Sequence, residues 1–207
     1  MSKGAARKGI LVIISAASGA GKSTIIKRVM ADDPNCVFAV SHTTRPPRPN
    51  EVDGKDYYFI NDQDFDDMVK ADAFAEWAVV HGNRYGTSFA EIERITAQEN
   101  DVIFEIDFQG GRALMRRFPE AATIFLLPPS LAEVKQRLID RGTDTDEVIA
   151  RRMEQARIEI ATAGEYRYLV FNDDLDVAVA EVQAILQAER LRSIRFPDKI
   201  RELVAEP

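Results

Sequence analysis

Cysteine is almost missing from this sequence: Cys36 stands alone among 207 residues, so no intrachain disulfide can form, and a reducing, cytoplasmic setting is expected. Histidine is nearly as scarce, with two residues. His42 and His81 have no partner at metal-ligand spacing, so no zinc or iron site is expected. Long hydrophobic runs are absent too. The apolar run Ile10 to Ile14 is too short for a signal core, although basic Lys3, Arg7 and Lys8 precede it, and nothing approaches the ~18–20 residues of a membrane span. Positive charge is in deficit, with 27 Lys and Arg against 34 Asp and Glu and a net charge of -7. That balance argues against non-specific binding to a nucleic-acid polymer or an anionic membrane, so any phosphate must be held by a local site. What remains is an ordinary globular composition, 45% hydrophobic and 29% charged, on a chain long enough to bury one sizeable core.

Short β-branched runs alternate with longer helix-period segments, which predicts an α/β fold built on a largely parallel sheet. Strands are expected at Ile10–Ile14, Val102–Asp107, Thr123–Leu127 and Tyr168–Phe171, and helices at Lys22–Ala31, Ser88–Glu99, Ser130–Arg141, Asp146–Ala163 and Leu175–Leu191. Ser88 with Glu91, and Ser130 with Glu133, match the Ser-x-x-Glu capping box. Residues 41–87 break the rhythm with a turn-rich stretch, a helix at Asp64–Ala71 and a strand at Ala75–Val80, and read as an inserted subdomain between core segments 1–40 and 88–207. Around Gly142 a run of Thr and Asp separates two Arg-bearing helices. The segment Arg141–Arg152 is expected to be a mobile hairpin within a lid spanning 137–157.

Directly after the first strand comes Ser15-Ala-Ala-Ser-Gly-Ala-Gly-Lys-Ser-Thr24, running into a helix. Gly19 and Gly21 can adopt backbone angles that turn successive N–H groups, from Ala17 and Ser18 through Ala20, inward around phosphate oxygens. Lys22 supplies a mobile cation for the β- and γ-phosphates, Ser23 a hydroxyl for magnesium, and Thr24 continues the helix start. The strict pattern G-x-x-x-x-G-K-[ST] has Ala16 in place of its first glycine, which matters little if Ala16 keeps a negative φ. A loop of this kind predicts only that a nucleoside triphosphate is bound.

The inserted segment carries more specific chemistry. Arg45 and Arg48 lie three residues apart among prolines, a stiff setting that can aim both guanidinium forks at one phosphate, with Tyr57 and Tyr85 as hydroxyl donors. A guanine edge, with adjacent N–H donors at N1 and N2, calls for a fixed carboxylate, and Glu76 in its apolar strand context is the candidate. Taken together, the phosphate loop and S-H-T-T-R-P-P-R, G-K-D-Y-Y-F, E-W, G-N-R-Y-G-T, E-I-D-F-Q-G, P-P-S, R-G-T and N-D-D-L resemble the guanylate kinase family in order and spacing, from residue 10 to about 190. The resemblance implies a parallel-sheet core, a GMP-binding subdomain and a lid. It implies that Ser41, Arg45, Arg48, Tyr57 and Tyr85 hold the GMP phosphate, and that Glu76, Thr87 and Asp107 read guanine or its surroundings. It also implies that Arg141 and Arg152, with Arg137 nearby, clamp the transferring phosphates and that Asn172 and Asp173 line the adenine of ATP. Glu105 stands where the family commonly has aspartate, leaving Asp107 the stronger candidate for organising magnesium waters.

The expected reaction is Mg-dependent transfer from ATP to GMP, and to dGMP, giving ADP and GDP, in purine nucleotide recycling and GTP supply by a monomer or homodimer. The attacking phosphate has a second pKa of about 6 and needs no side-chain base, so catalysis rests on positioning and charge from Lys22, Arg45, Arg141 and Arg152. Two alternatives stay open: a guanylate-kinase-like binding module without catalysis, and a kinase of another nucleotide. Tyr58, Phe59 and Trp77 read as packing residues, and Cys36 as a small buried hydrophobe.

Overall fold

The computed structural model describes residues 9–80, 82–140 and 145–205. Strand β1 (Leu11–Ala16) is β-branched and aliphatic and occupies the middle of a parallel sheet, between β7 (Asp101–Glu105) and β8 (Ala122–Leu127). Strand β2 (Cys36–Phe38) pairs outside β7, and β9 (Tyr168–Phe171) outside β8, so the order is β2-β7-β1-β8-β9. Because both faces are covered, the central strands read as continuous apolar runs. On one face Val12, Ile14, Ile124 and Leu126 pack against helices α1 (Lys22–Asp32) and α7 (Leu175–Arg190). On the other, Ile13, Phe104 and Phe125 meet α3 (Phe89–Thr96) and α4 (Phe108–Arg117).

Residues 42–88 hold a second sheet, ordered β4-β3-β6-β5 from β3 (His42–Thr43), β4 (Tyr58–Phe59), β5 (Phe74–Val80) and β6 (Asn83–Ser88), with α2 (Asp62–Lys70) beside it. Helix α2 starts earlier than its apolar periodicity suggests because the Asn61 side chain caps it, accepting from the Asp64 N–H. Both predicted capping serines act: Ser88 Oγ accepts from Glu91 N, and Ser130 Oγ from Glu133 N at the start of α5 (Leu131–Asp140).

Helix α6 (Asp146–Ala161) bears out the helix expected at Asp146–Ala163 and corrects the overlapping hairpin expected over 141–152. The later part of that stretch is not a hairpin. Ile149 and Ala156 of α6 are buried with Val134 and Leu138 of α5, so residues 146–152 belong to a packed helix pair, and only 141–144 lie outside the described residues. Helix α4 is not among the expected helices, because its sequence FQGGRALMRR carries two glycines. It forms because Asp107 caps it, accepting from Gly110 N at 2.8 Å. A last helix, α8 (Pro197–Ala205), closes the chain.

Candidate active site

The C-terminal ends of β1 and β7 diverge into different connections, the place where open parallel sheets form their ligand crevice. From β1 the chain enters the phosphate loop. Gly19 and Gly21 have φ of +82° and +88°, and the residues other than glycine with positive φ, among those described, are Asp72 and Glu99. Ala16 therefore keeps a negative φ and loses nothing by lacking glycine. Gly21 is doubly constrained, since a Cβ there would stand 2.5 Å from Asn172 Nδ2. The Asn172 amide in turn donates to Ala20 O at 2.7 Å, so this buried side chain braces the loop from beneath.

Lys22 donates to Ile106 O at 3.0 Å. Burial pushes its pKa down, and the carboxylates of Glu105, Asp107 and Glu159 oppose that shift. Ser23 Oγ is hydrogen-bonded to Glu105, which makes Glu105, at the end of β7, the carboxylate in contact with the candidate magnesium ligand. Asp107 is instead committed through Oδ1 to capping α4, and it lines both the loop cleft and the neighbouring cavity. Among the described residues no three His, Cys, Asp or Glu side chains cluster as a metal cage. Ser23 and Glu105 present oxygen donors only, the donor type that magnesium takes when nucleotide phosphates supply its other ligands.

The neighbouring cavity, about 200 Å³, is lined by Ser41, Tyr57, Glu76, Tyr85, Thr87 and Asp107 among others, so the structure brings together six of the residues assigned to GMP. Glu76 Oε1 accepts from Thr87 N at 3.1 Å and Thr87 Oγ1 at 2.9 Å, while Ser41 Oγ is 3.0 Å from Thr87 Oγ1. Burial pushes the Glu76 carboxyl up to about 7, against the Thr87 hydrogen bonds that favour its charged form. Arg45 lies beside the cavity, its guanidinium 5.5 Å from the Tyr57 ring centre, and Tyr57 meets Tyr85 edge-on at 5.8 Å. Arg45 is held by Glu51, whose oxygens accept from Nη2 at 2.7 and 2.9 Å and from Arg48 N at 2.7 Å. Sequence reasoning missed Glu51; the signal available was a carboxylate placed six residues after Arg45 in the same proline-rich stretch. The Arg48 residue itself is exposed.

A third cleft, lined by Gly19, Gly21, Thr24, Arg137, Asn172 and Asp173, opens on the other side of the loop. Arg137 reaches Gly19 O at 3.4 Å and Glu133 at 3.1 Å. Arg152 lies on α6, half-buried, and Arg141 falls outside the described residues. Glu159, also on α6 and also missed in the sequence, accepts from the Ser18 N–H at 2.7 Å.

Three surfaces thus converge: an apolar-walled cavity with a fixed carboxylate, an amide-lined phosphate loop, and an open cleft beyond it. Comparison with known proteins agrees with this chemistry. The guanylate kinase family model matches residues 8–189. Guanylate kinases of Symbiobacterium thermophilum and of Escherichia coli strain K12 are each 45% identical, over 96% of this chain and 94% and 97% of their own lengths. The crystal structure of guanylate kinase from Anaplasma phagocytophilum superposes with a TM-score of 0.73 at 29% identity, covering 95% of this chain and 94% of that one. An SH3-kinase fragment of tight junction protein 3 shares the fold alone, with a TM-score of 0.50 at 10% identity, covering 91% of this chain and 60% of that one. With matches of that extent, the chain belongs to the guanylate kinase family and is a nucleoside monophosphate kinase.

Proposed function

We propose that this chain transfers the γ-phosphoryl group of Mg·ATP to GMP and dGMP, with residues 41–87 as the GMP-binding subdomain and 137–157 as the lid. The observation that carries the reading is the meeting of two clefts at Asp107. The cavity containing Glu76 and the cleft of the phosphate loop share that residue, so an acceptor seated in the first presents its phosphate toward the second.

In this reading Glu76 accepts from the guanine N1–H and N2–H, with Thr87 and Ser41 fixing its carboxylate. An adenine offers no such donor pair and leaves the buried acceptor unsatisfied. Tyr57, Tyr85, Arg45 and Arg48 hold the GMP phosphate, and Arg45 reaches it by exchanging Glu51 for the ligand. The loop of residues 17–24 cradles the ATP phosphates through those of its amides that are not bonded within the protein, and Arg137, Asn172 and Asp173 border the adenosine. Ser23, with Glu105 beside it, would hold magnesium, which would supply positive charge against the phosphates. Lys22, Arg141 and Arg152 offset the charge on the equatorial oxygens in flight, and the helix pair α5–α6 screens the site from water. The acceptor oxygen is already largely ionised at neutral pH, so no group here need take a proton. The product would feed GTP supply in the cytoplasm, a setting supported by the lone Cys36 and by the lack, among the described residues, of any helix long and apolar enough to cross a membrane.

The test is ADP formation with Mg·ATP and GMP, dGMP, AMP, CMP, UMP or dTMP in turn. Turnover confined to the guanine nucleotides is expected. GMP binding without turnover would favour a binding module, and turnover on another base would overturn the role of Glu76.

A further inference from the structure

Glu159 has no part in the chemistry above, yet its carboxylate makes a 2.7 Å bond to the Ser18 amide across 141 residues of sequence. Ser18 immediately precedes Gly19, so the bond grips the shoulder of the phosphate loop, where the Ala20 amide in turn donates to Ala17 O at 3.0 Å. The second oxygen, Oε1, accepts from Gln155 Nε2 at 3.3 Å, one turn back on α6, and this fixes the carboxylate's orientation.

Helix α6 has a clear inward stripe. Residues 149, 152, 153, 156, 159 and 160 are buried or half-buried, while 150, 151, 154, 155, 157 and 158 are exposed. Arg152 and Glu159 share that stripe, seven residues apart, which is two helical turns or about 10 Å along the axis. Ile149 and Ala156 of the stripe pack against Val134 and Leu138 of α5. Apolar packing is non-directional and tolerates small rotations and slides; a charge-assisted hydrogen bond to a fixed amide does not. The bond from Glu159 therefore ties α6 to the loop at a defined rotation and axial position.

We infer that Glu159 is a positioning residue: by pinning α6 to the Ser18 amide it aims Arg152, two turns earlier on the same face, at the phosphate in transfer. This rests on the phosphate role given to Arg152 under the proposed function. A negative group beside a phosphate site would ordinarily repel its ligand. Here it also faces the buried Lys22 ammonium, whose charged form it favours together with Glu105 and Asp107.

Steady-state kinetics of the full chain on Mg·ATP and GMP test the link. Glu159→Ala is expected to lower kcat about tenfold or more with the KM for GMP unchanged within about twofold, because the acceptor cavity is untouched. Glu159→Gln keeps an acceptor oxygen at the same reach and is expected to restore most of kcat. In an Arg152→Ala background, itself slow, Glu159→Ala should cost less than about twofold more, since a group acting through Arg152 has nothing left to aim. A wild-type kcat in Glu159→Ala, a Gln variant as slow as Ala, or full additivity with Arg152→Ala would overturn the inference. If Glu159→Ala does not fold, Glu159→Asp, which retracts the carboxylate by one methylene, should show the same kcat loss, and a wild-type kcat there overturns it equally. A slow Arg152→Ala with additive effects refutes only the Glu159 link; a wild-type Arg152→Ala refutes the Arg152 role and the link with it.

Discussion

Replacing Glu76 by Gln should make the protein more stable and a worse enzyme, and both effects can be sized from the cavity. The Glu76 carboxyl is raised from 4.5 to about 7 because burial disfavours its charged form more than the two Thr87 hydrogen bonds favour it. Between those two values the folded chain holds a proton there that the unfolded chain has released, so stability falls as pH climbs from about 4.5 to about 7 and is flat above. The full cost is about 3 kcal/mol. A glutamine amide in the same place would keep an oxygen for the Thr87 N–H and hydroxyl and carry no charge to bury. Ligand-free Glu76→Gln should therefore match the parent near pH 4.5 and exceed it at pH 8. For a chain of this length the full difference amounts to a Tm higher by about 6–12 °C, and a third of it, about 2–4 °C, is still readily measured by calorimetry. With a neutral acceptor opposite guanine, KM for GMP should rise about tenfold or more, the worth of a charged hydrogen bond. A variant no more stable than the parent at pH 8, or one equally stabilised at pH 5 and pH 8, would refute the argument that the buried charge is what destabilises the cavity.

Other outcomes follow from single contacts. Lys22→Ala should reduce kcat about 100-fold or more, since it removes the ammonium held at Ile106 O beside the phosphate loop, and near-normal turnover would remove the loop from the mechanism. Arg190 bonds the fully buried Asp101 at 2.6 Å and Asp33 at 2.6 Å, so Arg190→Ala leaves the Asp101 charge without its guanidinium. That variant should lose about 3 kcal/mol in chemical denaturation while KM for GMP stays unchanged; a loss below about 1 kcal/mol would show the pair to be dispensable. Cys36, buried and pushed up to about 12, should resist thiol reagents at pH 8 until the protein unfolds, and rapid labelling of the native chain would contradict its burial.

The parallel sheet was legible because its strands are buried on both faces, which leaves an uninterrupted apolar signature in Leu11–Ala16 and Ala122–Leu127. Helix α4 was not, since Gly110 and Gly111 lower its intrinsic helicity and its N-cap, Asp107, looked like a ligand-binding residue. Gly111 is there for packing: a Cβ would stand 2.5 Å from the Tyr166 hydroxyl. The hairpin expected at 141–152 took Thr and Asp as loop signals, but Thr145 is the N-cap of α6 and Asp146 and Glu147 lie in its first turn, where acidic residues suit the helix dipole. Trp77, expected to pack, is 47% exposed and touches Phe65 edge-on, because β5 is an edge strand whose outer face is only partly covered by α2. Glu76 and Lys22 were readable from type and context. Glu51 and Glu159 were not, because each acts on a group that only the fold, or a tight turn, brings to it.

Those missed carboxylates share a logic with the residues that were found. Four of the groups assigned to phosphate or metal already have a protein oxygen for a partner: Glu51 on Arg45, Glu105 on Ser23, Glu159 on the Ser18 amide and the Ile106 carbonyl on Lys22. A half-buried cation or amide left bare would cost desolvation energy, so the ligand-free site stays formed by borrowing these partners. Under the proposed function substrate would enter by exchange, with a net gain equal to the difference between a phosphate contact and the internal one it replaces. The partners are not equivalent under that exchange. Under the proposed function Glu51 would compete with the GMP phosphate for one guanidinium, whereas Glu159 holds an amide one residue outside the glycine stretch and would have no need to leave. The first should therefore set how tightly GMP binds, and the second how well the bound phosphates are aligned.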